Sequence, residues 1–169
     1  LFSGRLKNLR IDENKARTEL ETIRKTLQET ERALQRANIP GIPEEMEVRF
    51  EEADEHIFIA NQTLQEVPLN IDTVKQHLAN AKKCVEDVRE RADEMIINVL
   101  LIERMIQYGN RYRGGNAKVH QQLLEAEQAF KQFRYIKALE DAGTAIESVE
   151  PGALKRIEEI VQEELAAKA

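Results

Sequence analysis

The chain has 169 residues, 41% of them hydrophobic and 33% charged, and a formal net charge of −6. An acidic chain with no concentrated basic surface makes a poor ligand for phosphate backbones, which argues against nonspecific nucleic-acid binding. Its one cysteine, Cys84, cannot form an internal disulfide, and the longest apolar run, 95–102, is interrupted by Asn98 and far short of the roughly 20 residues of a membrane span.

Seven Gly, four Pro and no Trp in a chain rich in Ala, Glu, Lys, Leu and Arg predict long helices and little turn structure. The opening residues are already helical in pattern, as expected of a piece of something longer. The first seam runs Leu6, Leu9, Glu13, Ala16, Leu20, Ile23, Leu27, Thr30, Leu34 and Ala37. Its spacing alternates between three and four, the mark of a left-handed coiled coil. Asn38-Ile39-Pro40-Gly41-Ile42-Pro43 then stops the helix, because proline lacks the amide donor and glycine carries no helical bias.

A second helix follows on Met46, Phe50, Ala53, Ile57, Ala60, Leu64 and Val67, and Pro68 ends it. Asn70 is placed to cap a third helix, with Asp72 against its dipole. That helix, 71–113, has an unbroken apolar seam of Ile71, Val74, Leu78, Ala81, Val85, Val88, Ala92, Met95, Val99, Ile102 and Ile106. At 1.5 Å per residue it spans about 65 Å. From Met95 onward a second apolar stripe appears on Ile96, Ile97, Leu100, Leu101, Met105, Tyr108 and Tyr112, so this half must be covered on more than one side. The helix is therefore read as shared between two bundles.

Beyond Gly114-Gly115, Val119, Leu123, Ala126, Phe130 and Phe133 keep helical spacing. The phase then slips near Arg134-Tyr135 to Ile136, Leu139, Ala142, Ile146 and Val149, which fits either a bent helix or a hairpin over 117–149. The stretch Tyr135, Ala138, Ala142, Ala145 and Pro151 has the spacing of the second helix of a tetratricopeptide repeat, which as a single unit says no more than a helical hairpin. A last helix begins after Glu150-Pro151-Gly152 on Leu154, Ile157, Val161 and Leu165, and the Ala-rich end is expected to fray. The expected fold is all-α: a spectrin-like three-helix bundle over 1–92, and a C-terminal helical bundle over 93–169 that shares the long helix and ends in a helical hairpin.

No catalytic constellation emerges. Glu52 and His56 share a helix face, but His77 and His120 supply no further pair at ligand spacing, and a zinc site needs three or four ligands. Neither Cys84 nor any carboxylate has a partner that marks it for nucleophilic or acid–base work. Gly114-Gly115 lacks the Lys-Ser/Thr of a phosphate loop. No enzyme activity, metal, cofactor or small-molecule substrate is expected. The acidic run Glu44, Glu45, Glu47, Glu51, Glu52, Asp54 and Glu55 reads as a solvated face, or as a docking surface for a basic partner.

One cluster stands apart. Gln107, Asn110 and Arg111 lie three and four residues apart and share a face at the end of the long helix, with Arg104 upstream. Amides beside a guanidinium suit a carboxylate or an extended backbone. The same residues also suit helix-end capping.

Ile106-Gln107-Tyr108-Gly109-Asn110-Arg111-Tyr112-Arg113 closely resembles the Gln-x-x-Asn-Arg patch of the EzrA family of septation-ring regulators, and 145–153 resembles that family's C-terminal helical region. The resemblance implies spectrin-like repeats and a non-enzymatic role in bacterial cell division. It implies binding to the tubulin-like protein FtsZ and possibly to other division proteins, restraint of FtsZ ring assembly, and recruitment to mid-cell through the patch carried here by Gln107, Asn110 and Arg111. It also implies a parent protein anchored in the membrane by its N-terminus, of which this would be a cytoplasmic fragment. Two other readings stand beside it: a coiled-coil spacer, and a peptide-binding adaptor whose groove is lined by Phe130, Phe133 and Tyr135. Seam composition leaves the oligomeric state open.

Overall fold

A computed structural model describes residues 2–168, with side chains from Lys7. The described residues form six α-helices and no strand: α1 (Phe2–Arg36), α2 (Glu44–Leu64), α3 (Ile71–Arg113), α4 (Ala117–Lys131), α5 (Tyr135–Val149) and α6 (Ala153–Lys168). The chain divides into two compact units. One takes the chain up to Asn38 together with Glu44–Ala92; the other takes Ile39–Pro43 and the chain from Asp93 onward.

The first unit is built on the heptad seams. Ala16, Leu20, Ile23 and Leu27 of α1, Ala53, Ile57, Ala60 and Leu64 of α2, and Val74, Leu78, Ala81, Val85 and Val88 of α3 form one buried cluster. The alternating three-four spacing puts each set on one side of its helix, so three stripes close on each other and leave the charged flanks in water. Thr30 is buried in the α1 seam because its hydroxyl donates to the Thr26 carbonyl at 2.8 Å, which satisfies the polar atom locally. Asn70 caps α3 as its position predicts, accepting from the Thr73 amide at 3.2 Å. Leu6, the first seam position, falls outside the residues whose side chains are described. Two seam expectations fail at helix ends: α1 stops at Arg36 and α2 at Leu64, so Ala37 is exposed and Val67 lies in a loop, 95% exposed.

The second unit uses shorter helices. Leu101 and Met105 of the second α3 stripe are buried with Val119, Leu123 and Ala126 of α4, Ala142, Ala145 and Ile146 of α5, and Ala153, Ile157 and Val161 of α6. Ile97 of that stripe is exposed. The segment 117–149 is a hairpin, because Phe133 adopts a left-handed conformation (φ 63°) that no continuing helix allows. The turn also decides the phase of α5. Tyr135, Ala138, Ala142, Ala145 and Ile146 face inward, while Ile136, expected in the seam, is 67% exposed. Small alanines let α5 approach its neighbours closely, and a stripe led by Ile136 would not. α6 is helical through Lys168, consistent with the high helix propensity of alanine; Ala169 lies outside the described residues.

Candidate functional site

The last turns of α3 carry the polar cluster. Gly109, on the inner side of this segment, is buried, and an added Cβ would stand 2.9 Å from a Leu123 methyl. The close approach of α4 turns the opposite side, with Gln107, Asn110 and Arg111, to solvent, and all three are exposed.

Each is held by a neighbour. Arg104 donates to Gln107 Oε1 at 3.2 Å and pairs with Glu164 of α6 at 2.9 Å. The bond to Glu164 raises the Arg104 pKa further above its ordinary value. Arg113 donates to Asn110 Oδ1 at 3.1 Å and to His120 Nδ1 at 3.1 Å, and pairs with Glu127 of α4 at 2.6 Å. The Arg111 guanidinium carbon lies 3.9 Å from the centre of the Tyr108 ring, a cation–π contact. With both amide oxygens used internally, the side-chain NH₂ groups of Gln107 and Asn110 remain as donors beside Arg111. None of the three side chains bonds a carbonyl of the last turn among the described residues, so they do not cap α3 through its backbone.

The three are not equivalent. Asn110 borders a groove toward α4 with Glu127, Phe130 and Lys131, whereas Arg111 borders one toward α6 with Ile157 and Ile160. Gln107 and Arg104 line both. The patch is therefore a ridge with a depression on either side.

Beneath Arg111 lies a clasp that helical spacing did not reveal. The hydroxyls of Tyr108 and Tyr112 both donate to the Glu150 carboxylate at the α5 C-terminus, the Tyr112 bond at 2.5 Å, and Arg156 of α6 pairs with the same carboxylate at 2.5 Å. The two hydroxyl donors hold the Glu150 pKa below its ordinary value, and the same bonds push both tyrosines up. Tyr108 and Tyr112 are four apart and visibly share a face, but no local signal in the sequence ties them to Glu150.

Elsewhere, the acidic residues 44–55 noted in the sequence are all exposed on α2. No group of three or more His, Cys, Asp or Glu side chains is placed to hold a metal ion among the described residues, and no described helix is long and apolar enough to cross a membrane. Of the three aromatic residues of the proposed adaptor groove, Tyr135 is buried and Phe130 and Phe133 are half-buried.

The family model described as "Septation ring formation regulator, EzrA" matches residues 1–161. Septation ring formation regulators EzrA of three organisms align with most of the chain: that of Bacillus pumilus is 40% identical over 156 residues, covering 92% of this chain and 28% of the relative. That of Geobacillus sp. WCH70 is 42% identical over 149 residues (88% and 26%), and that of Listeria monocytogenes EGD-e is 38% identical over 166 residues (98% and 29%). The chain thus spans between about a quarter and three tenths of the length of these curated relatives. No solved structure matches it significantly.

Proposed function

We propose that this chain, which belongs to the EzrA family of septation ring formation regulators, contributes to the control of bacterial cell division by binding division proteins through Gln107, Asn110 and Arg111. The partner we assign is FtsZ, whose ring assembly the parent protein restrains from the cytoplasmic face of the membrane at the division site. The observation that carries the reading is the disposition of the patch. Its side chains are exposed, are fixed by Arg104, Arg113 and Tyr108, and make no hydrogen bond to the last-turn carbonyls among the described residues.

Fixing side chains before binding lowers the entropy lost on association, and a guanidinium beside two amide donors matches a carboxylate next to an extended backbone. An acidic, flexible tail of FtsZ has that chemistry. Arg111 takes a carboxylate, and the amides take backbone carbonyls.

Biolayer interferometry with purified FtsZ, and separately with its C-terminal tail peptide, tests this. A triple variant, Gln107→Ala, Asn110→Ala and Arg111→Ala, is expected to match the parent in helicity, to melt within a few degrees of it, and to lose binding. Binding that survives in the variant places the contact elsewhere. Absence of binding in both leaves the chain a spacer within its family.

A further inference from the structure

The turn between α4 and α5 carries an aromatic cluster, of which Phe130 also borders the Asn110 groove. At the end of α4 the Arg134 amide donates to the Ala129 carbonyl at 2.9 Å and the Phe133 amide to the Phe130 carbonyl at 3.1 Å. This is the Schellman pattern, and it puts Phe133 at the left-handed position that glycine usually fills. A phenylalanine there is strained relative to glycine, and strain that persists points to a use for the side chain.

The use is visible across the unit. The Phe133 ring lies flat against Gly41, so that a Cβ on Gly41 would fall within the ring's contact shell. Gly41 is not in a left-handed conformation itself; what demands glycine there is the ring. Tyr135, 4% exposed, donates its hydroxyl to the Gly41 carbonyl at 2.6 Å. Its ring meets Phe130 edge-on at 5.6 Å and Phe133 at 6.4 Å. The Phe133 ring and the Tyr135 hydroxyl therefore both meet Gly41 in a short non-helical segment, Ile39–Pro43, that carries two prolines, and Phe130 packs against Tyr135 behind them. An aromatic ring on bare glycine backbone and a hydroxyl on its carbonyl, beside prolines, resemble the aromatic-lined grooves that take proline-rich peptides.

We infer that Phe133 and Tyr135, backed by Phe130, form a peptide-binding site for non-helical Pro-Gly-containing sequence, and that Ile39–Pro43 is its tethered ligand. The ligand class is set by contact: a residue without a side chain beneath Phe133, an acceptor carbonyl for Tyr135, and flanking prolines that resist helix formation. Tethering gives the internal segment an effective concentration on the order of millimolar, so an untethered peptide of the same sequence competes poorly until the segment is displaced.

Two measurements test the site. In the parent, the Gly41 α-protons should resonate upfield of their random-coil position through the Phe133 ring current, and return to it in Phe133→Gly, a change that also relieves the backbone. Unshifted Gly41 protons in the parent overturn the inference. In the second measurement, a fluorescein-labelled peptide of residues 38–44 is titrated by anisotropy. It should bind Gly41→Val at least tenfold more tightly than the parent, and the gain should vanish in the Gly41→Val, Phe133→Gly double variant. Equal binding to parent and Gly41→Val, or binding that survives loss of the ring, overturns it.

Discussion

The two units solve the same problem, burying helix stripes, by different means. In the first, long helices carry continuous heptad seams, and the polar links between helices are few: Arg49 with Asp87 at 2.8 Å, and Arg17 reaching the Leu64 carbonyl at 3.5 Å. In the second, α4, α5 and α6 are only 15, 15 and 16 residues long. They also close on a buried apolar core, and polar links add to it: Arg104–Glu164, Arg113–Glu127, the tyrosine pair on Glu150, and Tyr135 on Gly41. The candidate binding patch stands on that network. A seam stabilises without regard to direction, whereas directional bonds also fix where side chains stand, which a recognition surface requires.

The largest effect tests the seam. Leu78 is 1% exposed in the first unit's core, and Leu78→Ala should lower unfolding stability by about 2–5 kcal/mol through lost transfer energy and the cavity left behind. Urea unfolding followed by circular dichroism measures it; a cost below about 1 kcal/mol contradicts a close-packed seam.

Next is the tight contact in the second unit. Alanine favours a helix over glycine by about 1 kcal/mol, but a Cβ at Gly109 would sit 2.9 Å from Leu123. Overpacking costs about 1–3 kcal/mol, so Gly109→Ala should destabilise on balance, and Leu123→Val in the same chain should recover part of the loss. A more stable Gly109→Ala protein shows that α3 and α4 are not in contact there.

The Glu150 clasp predicts a dependence on pH. Its carboxylate is held below the ordinary value in the folded chain, so the unfolded chain takes up the proton first as pH falls. The contribution is complete above the ordinary carboxylate pKa and disappears as pH drops through the folded one. Glu150→Gln should therefore melt below the parent at neutral pH, with the gap closing as the pH falls below the ordinary carboxylate range. A gap that persists unchanged into acid shows that charge at Glu150 is not what the tyrosines and Arg156 hold.

The smallest effect sharpens the reading of α5. Ile136 is 67% exposed, so Ile136→Ser should change stability by no more than about 0.5 kcal/mol. A loss of 2 kcal/mol or more would put Ile136 inside, and the alanine stripe outside.

Local sequence signals determined the all-helical fold, the α1–α3 seams short of their ends at Ala37 and Val67, the Asn70 cap and the breaks near the prolines, because each follows from chemistry within a few residues along the chain. The motif of Gln107, Asn110 and Arg111 was legible for the same reason: three residues on one face need only helical spacing. Tertiary structure alone decided which stripe of α5 faces inward, since that phase depends on the left-handed turn at Phe133, where the sequence offers no glycine to announce it. It alone joined Tyr108 and Tyr112 to Glu150, and Gly41 to Phe133 and Tyr135. Those contacts connect residues dozens of positions apart, and a hydrogen bond or a ring against a backbone leaves no repeat in sequence by which to find its partner.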